Sequence, residues 1–249
     1  MLSSLLEYLR FLLNIDRFND KLLNGVQIEG TRPIQKIATA VTASQHAIEE
    51  TVRLNADLLL VHHGLFFTKG SSALTGPMRE RTAYLLRENI HLLCFHLPLD
   101  AHQEFGNNWP VARALGWQNV KPFGPAREQI GVEGEISAIE GTQLFQQLQS
   151  YWNNAGVHLA QNPSKKIQRC AFISGKGDAF FEIAINQGVD CFITGTISDS
   201  VWHLARESST HYMSFGHFCT ERLGVQLLGE HLAKKFSLDH LFIDEENPY

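Results

Sequence analysis

The stretch DLLLVHHGLFF, Asp57 to Phe67, carries a short aliphatic run straight into two adjacent histidines and a glycine. The run has the length and apolar character of a buried strand, and a chain that only needed to pack would extend it with more aliphatics. Open α/β sheets place their chemistry just past the carboxyl ends of strands, so two imidazoles at that point mark a site.

Outward from this stretch, β-branched or aliphatic runs alternate with helical stretches, which predicts an α/β fold. Strands are expected at Ile37–Ala43, Asp57–His62, His91–His96, Ile130–Ile136, Ile167–Ser174, Asp190–Thr194, His211–Phe215 and His240–Ile243. Helices are expected at Leu5–Asn14, Gln45–Leu54, Met78–Glu88, Trp109–Leu115, Thr142–Trp152, Ala179–Asn186, Asp199–Glu207 and Cys219–Phe236. The first reads as an amphipathic helix capped near Ser3 or Ser4, with Leu5, Leu6, Leu9, Leu12 and Leu13 on one face. It has neither the basic leader nor the small-residue cleavage site of a signal peptide.

The Pro- and Gly-rich KPFGPARE, Lys121 to Glu128, is the expected joint. It divides the chain into an N-terminal α/β lobe, residues 1–125, and a C-terminal α/β lobe, residues 126–249, with the last helix packing on the first lobe. The halves resemble one another. Ile34-Gln35-Lys36 matches Ile167-Gln168-Arg169, and NADLLLV at Asn55 matches GVDCFIT at Gly188, both at an offset of 133 residues, which points to duplication.

The net charge of −5 argues against a basic groove tracking a phosphate backbone, so nucleic acid is not expected as the main partner. No apolar run approaches the ~20 residues that a membrane-crossing helix needs. None of the four cysteines sits in a CxxC or knuckle spacing, and Cys94, Cys170 and Cys191 lie inside strand-like runs. They read as free thiols in a reducing, cytoplasmic compartment.

Three strand ends are loaded with ligand-type side chains: His62-His63, then FHLPLDAH with His96, Asp100 and His102, then GHFCTE with His217 and Glu221. Mixed imidazole and carboxylate donors suit a borderline divalent metal, here Zn, Mn, Fe, Co or Ni. His217 and Glu221, four residues apart at a helix mouth, can reach the same point. Five donors exceed what one four-coordinate ion needs, so His62, His63, Asp100, His217 and Glu221 are read as ligands of two divalent ions per subunit. Each piece alone has a plainer reading: strand-end histidines satisfied by carbonyls, a turn capped by Asp100, and a helix cap at Thr220 and Glu221. Their joint occurrence at corresponding strand ends favours metal.

His96 is a candidate acid/base or a donor supporting the ligands, with a strand-end histidine bonded to backbone as the plainer reading. The glycine turn SGKGDAFF, Ser174 to Phe181, could approach a phosphate with its amides or could simply pack. Asn24 and Gln27 either bond substrate or close a loop, and His102, His158, His203, His231 and His240 are assigned no site role.

Together NGVQIEG at Asn24, VTAS at Val41, DLLLVHHG, HLPLDAH, GNN at Gly106, ITGT at Ile193 and GHFCTER at Gly216 resemble, in order and across nearly the whole chain, the GTP cyclohydrolase 1 type 2 homologue family, the Ngg-one-interacting-factor-three-like proteins. The resemblance implies two related α/β lobes with mixed sheets flanked by helices, a dinuclear metal site in the cleft between them, and a homohexameric ring. It places the metal ligands on His62, His63, Asp100, His217 and Glu221. Family members usually carry an acidic residue where Thr196 follows ITG, and longer relatives carry an inserted domain for which the span from Val120 to Ile167 is too short.

The resulting expectation is a metal-dependent hydrolase acting on a nucleotide-like small molecule, opening the purine ring of GTP or of a related or damaged nucleotide, with His96 as proton carrier. Two rivals stand beside it: a dinuclear phosphoesterase, and a metal-binding or metal-handling scaffold without turnover.

Overall fold

The computed structural model describes residues 1–69, 73–125, 129–247 and 249. Among them the strands are β1 (Gly25–Ile28), β2 (Lys36–Thr42), β3 (Leu58–His63), β4 (His91–Cys94), β5 (Gln118–Phe123), β6 (Gly131–Glu140), β7 (Val157–Leu159), β8 (Lys166–Ile173), β9 (Cys191–Thr194), β10 (His211–Ser214) and β11 (Asp239–Phe242). They form two mixed sheets, in the orders β1-β4-β3-β2-β11 and β5-β6-β8-β9-β10-β7. Each sheet belongs to one of two compact units, the first made of Met1–Leu99 and Gly224–Glu246, the second of Asp100–Leu223 and Asn247–Tyr249. All eight expected strands and all eight expected helices are present, with ends shifted by a few residues.

In the first unit β11, β2, β3 and β4 run parallel, and β1 pairs antiparallel with β4. Residues on both faces of β3 are buried: Leu59 and Val61 on one, Leu58 and Leu60 on the other. That is the pattern of a parallel strand covered on both sides, and it explains why its sequence is a continuous aliphatic run. The helix Gln45–Arg53 is capped by Ser44, whose Oγ accepts from the Ala47 amide at 3.0 Å. The first helix, Leu2–Leu13, starts earlier than the expected serine cap, with Met1 at the capping position. It buries Leu5, Leu9 and Leu13, while Leu6 and Leu12 lie at the margin of that face.

In the second unit β8, β9 and β10 are parallel, flanked by antiparallel β6 and β5 on one side and by β7 on the other. The division between units falls at Leu99/Asp100 and not after Pro125. The start of the expected joint is strand: Pro122 pairs with Val132 and Phe123 with Gly131. Pro122 can occupy a strand because β5 is at the sheet edge, where no partner needs its missing N–H. The last three residues of KPFGPARE, 126–128, lie outside the described residues. The last long helix, Arg222–Phe236, lies mostly in the first unit.

The internal repeat is physical. In the first unit the Asp57 carboxylate accepts from the Gln35 and Lys36 amides at 2.9 and 3.1 Å, clamping the start of β2 to that of β3. In the second, Asp190 accepts from the Gln168 and Arg169 amides at 3.0 and 2.9 Å at the starts of β8 and β9. Offset by the same 133 residues, the two carboxylates fix strand register in the same way.

Among the described residues no helix is long and apolar enough to cross a membrane. The cysteines are free, and Cys94, Cys170 and Cys191 are buried as expected.

The second unit also carries a buried imidazole pair. His211, 1% exposed at the head of β10, takes a 2.9 Å hydrogen bond between its Nδ1 and Nε2 of His158 on β7. Burial, with His158 and Lys165 adding to it, lowers the pKa of His211 from 6.5 to about 4. A depressed folded-state pKa means that the unfolded chain binds the proton first as pH falls. Stability is therefore full above about pH 6.5 and declines towards pH 4, by about 2–3 kcal/mol for His211. Urea titrations across this range should show the decline, and His211→Gln should flatten it.

Candidate metal centre

The first unit gathers three histidines. One ring nitrogen from each of His62, His63 and His96 lies within 4.8 Å of one from each of the others. The ring centroids are 4.7 Å apart for His62 and His63, 4.9 Å for His62 and His96, and 5.7 Å for His63 and His96. Backbone geometry sets this up: β3 ends at His63, and β4, its parallel neighbour, ends just before Phe95 and His96.

For His62 and His96 the Nδ1 contacts settle which nitrogen is basic. His62 is fully buried, and its Nδ1 lies 3.0 Å from the carbonyl oxygen of Phe95, which can only accept. The proton is therefore on Nδ1 and the lone pair on Nε2. His96 Nδ1 is 2.8 Å from the carboxylate of Asp20 and is fixed in the same tautomer. His63 Nδ1 is 3.2 Å from the Thr42 hydroxyl, which accepts when Nε2 is the basic nitrogen. Acceptors on Nδ1 orient metal-binding histidines in just this manner.

Asp20 is the residue that periodicity could not reveal. It lies between helix and strand in an irregular segment, yet its carboxylate accepts from His96 Nδ1, the Leu22 amide at 3.0 Å, the Leu97 amide at 2.9 Å and Asn24 Nδ2 at 2.9 Å. Burial opposes its ionisation, but the hydrogen bond from His96, helped by those from Asn24 and Leu22, holds its carboxyl down at about 2. Asn24 Oδ1 in turn accepts from the His96 amide at 2.8 Å. Asn24 thus frames His96. Gln27 closes the loop after the histidines, its Oε1 accepting from the Leu65 and Phe66 amides at 2.6 and 3.1 Å.

The second unit gathers the carboxylates. His217 Nε2 is 3.1 Å from Glu221 Oε2. His217 opens the short helix His217–Thr220, whose capping position is held by Gly216 without a side-chain cap. Thr220 Oγ1 accepts from the Gly175 amide at 2.9 Å, tying the short helix to the turn after β8. Asp100, expected with the first lobe, opens the second unit because its partners are there. Its Oδ1 accepts from Asn107 Nδ2 at 2.8 Å and from the Ser174 hydroxyl at 3.0 Å, and Asn108 bridges its carbonyl to the Ser174 amide. The GNN motif is therefore the mount of Asp100. Asp100 and Glu221 are 4% and 3% exposed, the burial at which carboxylates require fixed donors or a cation.

The glycine turn after β8 packs against this pair. A Cβ on Gly175, whose φ is +60°, would collide with Glu221 Oε1 and lie 2.7 Å from its Cδ and 3.0 Å from His217 Nε2. The Gly175 amide donates to Thr220 Oγ1 and the Gly177 amide to Thr194 Oγ1 at 3.0 Å, so both of these amides are engaged within the chain. Thr196 donates to Asp178 at 3.1 Å. The remaining histidines are occupied elsewhere: His102 Nδ1 accepts from the Phe105 amide at 3.0 Å, His231 meets the Tyr8 hydroxyl at 2.6 Å, and His240 meets Thr39 Oγ1 at 2.9 Å. His203 lies on an exposed helix face.

Residues 1–248 match the family model described as Duf34/NIF3 (NGG1p interacting factor 3). The chain is 38% identical over 248 residues to a GTP cyclohydrolase 1 type 2 homolog of Chlamydia trachomatis serovar D, covering 99% of both chains. It is 41% identical over 232 residues to one from Neisseria meningitidis serogroup B, covering 93% and 92%. The solved structure of protein ybgI, described as of unknown function, superposes with a TM-score of 0.92 at 38% identity over 99% of each chain.

Gly175→Ala adds a methyl group against Glu221 at a left-handed position that costs a non-glycine residue about 1–2 kcal/mol. If the His217–Glu221 pair holds a cation, the variant should bind divalent metal about 10- to 100-fold more weakly. Competition against a chromophoric chelator measures this, with exposed Lys176→Ala as the control that leaves affinity unchanged.

Proposed function

The chain belongs to the Duf34/NIF3 family, and from that premise we propose that it is a divalent-metal-dependent hydrolase of a nucleotide-like small molecule. The ligands in this reading are His62, His63, Asp100, His217 and Glu221, serving two ions per subunit. The observation that carries it is the tautomeric lock: buried His62 gives its Nδ1 proton to a backbone carbonyl and presents a basic Nε2 beside two further imidazoles. The donor set of imidazole and carboxylate without thiolate fits Zn, Mn, Fe, Co or Ni.

When bound, such ions lower the pKa of water towards neutrality and stabilise developing negative charge. The chain supplies the rest. Asp20 holds the His96 ring so that Nε2 is the atom that takes or returns a proton. Asn107 and Ser174 hold Asp100, and Gly175 lets the loop after β8 close on Glu221. The relatives' description as GTP cyclohydrolase homologs supports a purine nucleotide as substrate, with ring opening at the imidazole carbon and loss of formate.

Elemental analysis of fresh protein should give two divalent ions per chain, falling in His63→Ala and Glu221→Ala. The loaded protein should then release formate from GTP or a related nucleotide. Inorganic phosphate as the product would replace the reading with a phosphoesterase, and tight metal binding without turnover of any nucleotide would leave a metal-handling scaffold. The family resemblance also supports assembly into a homohexamer, which light scattering should show as six times the 28.1 kDa chain mass.

A further inference from the structure

We propose that the second unit holds a base-recognition pocket in which the carboxylate of Asp178 takes the adjacent N1–H and 2-amino donors of a guanine ring. This deepens the nucleotide reading above and rests on it for the choice of a purine. A cavity of about 200 Å³ lies between the turn Asp178–Phe180, with the helix Phe181–Asn186 that continues it, and the start of the helix Asp199–Glu207. These segments follow β8 and β9, so the cavity sits at the carboxyl ends of two parallel strands, where such sheets bind ligands. None of its lining residues is among the metal ligands named above. Whole drug-sized ligands fill about 300–1,000 Å³, so this cavity takes one end of a nucleotide.

The lining decides which end. Phe181, Val201 and Leu204 line the apolar side, and Asp178, Glu182, Ser198 and Ser200 supply the polar groups. No lysine, arginine or histidine is among the described residues that line it, and two carboxylates repel a phosphate. A flat, apolar body that donates hydrogen bonds fits instead. Asp178 is only 8% exposed, and among the described residues its side chain accepts a single hydrogen bond, from Thr196 Oγ1 to Oδ1 at 3.1 Å. A carboxylate has about four acceptor sites, and burying one is costly unless donors fill them. Thr196, whose own carbonyl accepts from the Tyr212 hydroxyl at 2.5 Å, thus fixes the carboxylate and leaves Oδ2 for a ligand. Guanine offers two donors side by side, next to an O6 acceptor that a serine hydroxyl can meet. Ser198 and Ser200 bring such hydroxyls, 3.3 Å apart. Adenine presents the reverse pattern, an acceptor at N1 beside a 6-amino donor, so the same carboxylate separates the two purines.

Calorimetry with nucleosides, which carry no phosphate, tests this on the full chain without metal or turnover. Guanosine should bind about 10- to 100-fold more tightly than adenosine, with inosine, which keeps N1–H and lacks the 2-amino group, in between. Asp178→Asn keeps the shape and replaces one acceptor with a donor. It should weaken guanosine binding about 10- to 100-fold and strengthen that of xanthosine, whose C2 carbonyl can accept from the introduced amide. A merely structural role for Asp178 would weaken every nucleoside alike, and the ranking in the unaltered chain stands even if the variant does not fold. Equal affinity for guanosine and adenosine would mean that only the ribose is held, and would overturn the base assignment, as would absence of nucleoside binding or a guanosine preference unchanged in Asp178→Asn. The predicted ranking without formate release from GTP would remove the hydrolase reading and keep the pocket. Formate release with a KM for GTP unchanged in Asp178→Asn would remove the pocket alone.

Discussion

A buried imidazole must give its N–H to an acceptor, and much else in this molecule follows from where those acceptors stand. At the ends of β3 and β4 they stand on the Nδ1 side: a carbonyl for His62 and a carboxylate for His96. Each such bond removes the choice of tautomer and leaves the lone pair on Nε2. Without them the rings could turn, and their closeness would mean only crowding. With them, the cluster is a set of aimed bases, and even the loops become intelligible as supports. The segment from Asp20 to Gln27 holds His96 from below through Asp20 and Asn24 and shuts the loop after His63 through Gln27.

The duplicated framework explains why donors arise at corresponding places in the chain. Asp57 and Asp190 pin equivalent strand starts, so β3 and β9 emerge in the same register relative to β2 and β8. What differs is the cargo past the strands. In the first unit β3 ends in paired histidines, whereas β9 ends in Thr194 and Gly195, small enough for the helix opening at His217 to pack closely. A Cβ on Gly195 would come 2.6 Å from Thr220 Oγ1 and 2.8 Å from the His217 Cα. One half thus specialised in imidazoles and the other in carboxylates with a single histidine.

Much of this was legible in the sequence because central parallel strands must be apolar on both faces, and such runs stand out. The three strands that were not anticipated have other compositions. β1 (GVQI) is short and carries a glutamine, β5 (QNVKPF) is an exposed edge interrupted by proline, and β7 has three residues. Proline and glycine mark a linker and a hairpin equally well, so Lys121 to Pro125 looked like a boundary while in fact lying in one sheet and its turn. The ligand-type residues were legible because they follow strands. Asp20 was not, since it follows no strand and its importance comes from four donors scattered in sequence from Leu22 to Leu97. The mounting of Asp100 by Asn107 was visible only as an unexplained GNN.

Thr196 shows how a departure from a family pattern can be absorbed. The resemblance leads one to expect an acidic side chain after ITG, and a threonine there removes a negative charge. The structure keeps a carboxylate nearby by another route: Thr196 Oγ1 donates to Asp178, a residue only 8% exposed, in the turn that begins with Gly175. The Thr196 carbonyl is held in place by the buried Tyr212 hydroxyl at 2.5 Å. Burial and the neighbouring Asp178 carboxylate both raise the pKa of Tyr212, so it remains a donor throughout the accessible pH range. A threonine at this position can donate to the Asp178 carboxylate where a second carboxylate would repel it. The charge belongs to the neighbourhood and not to one position along the chain.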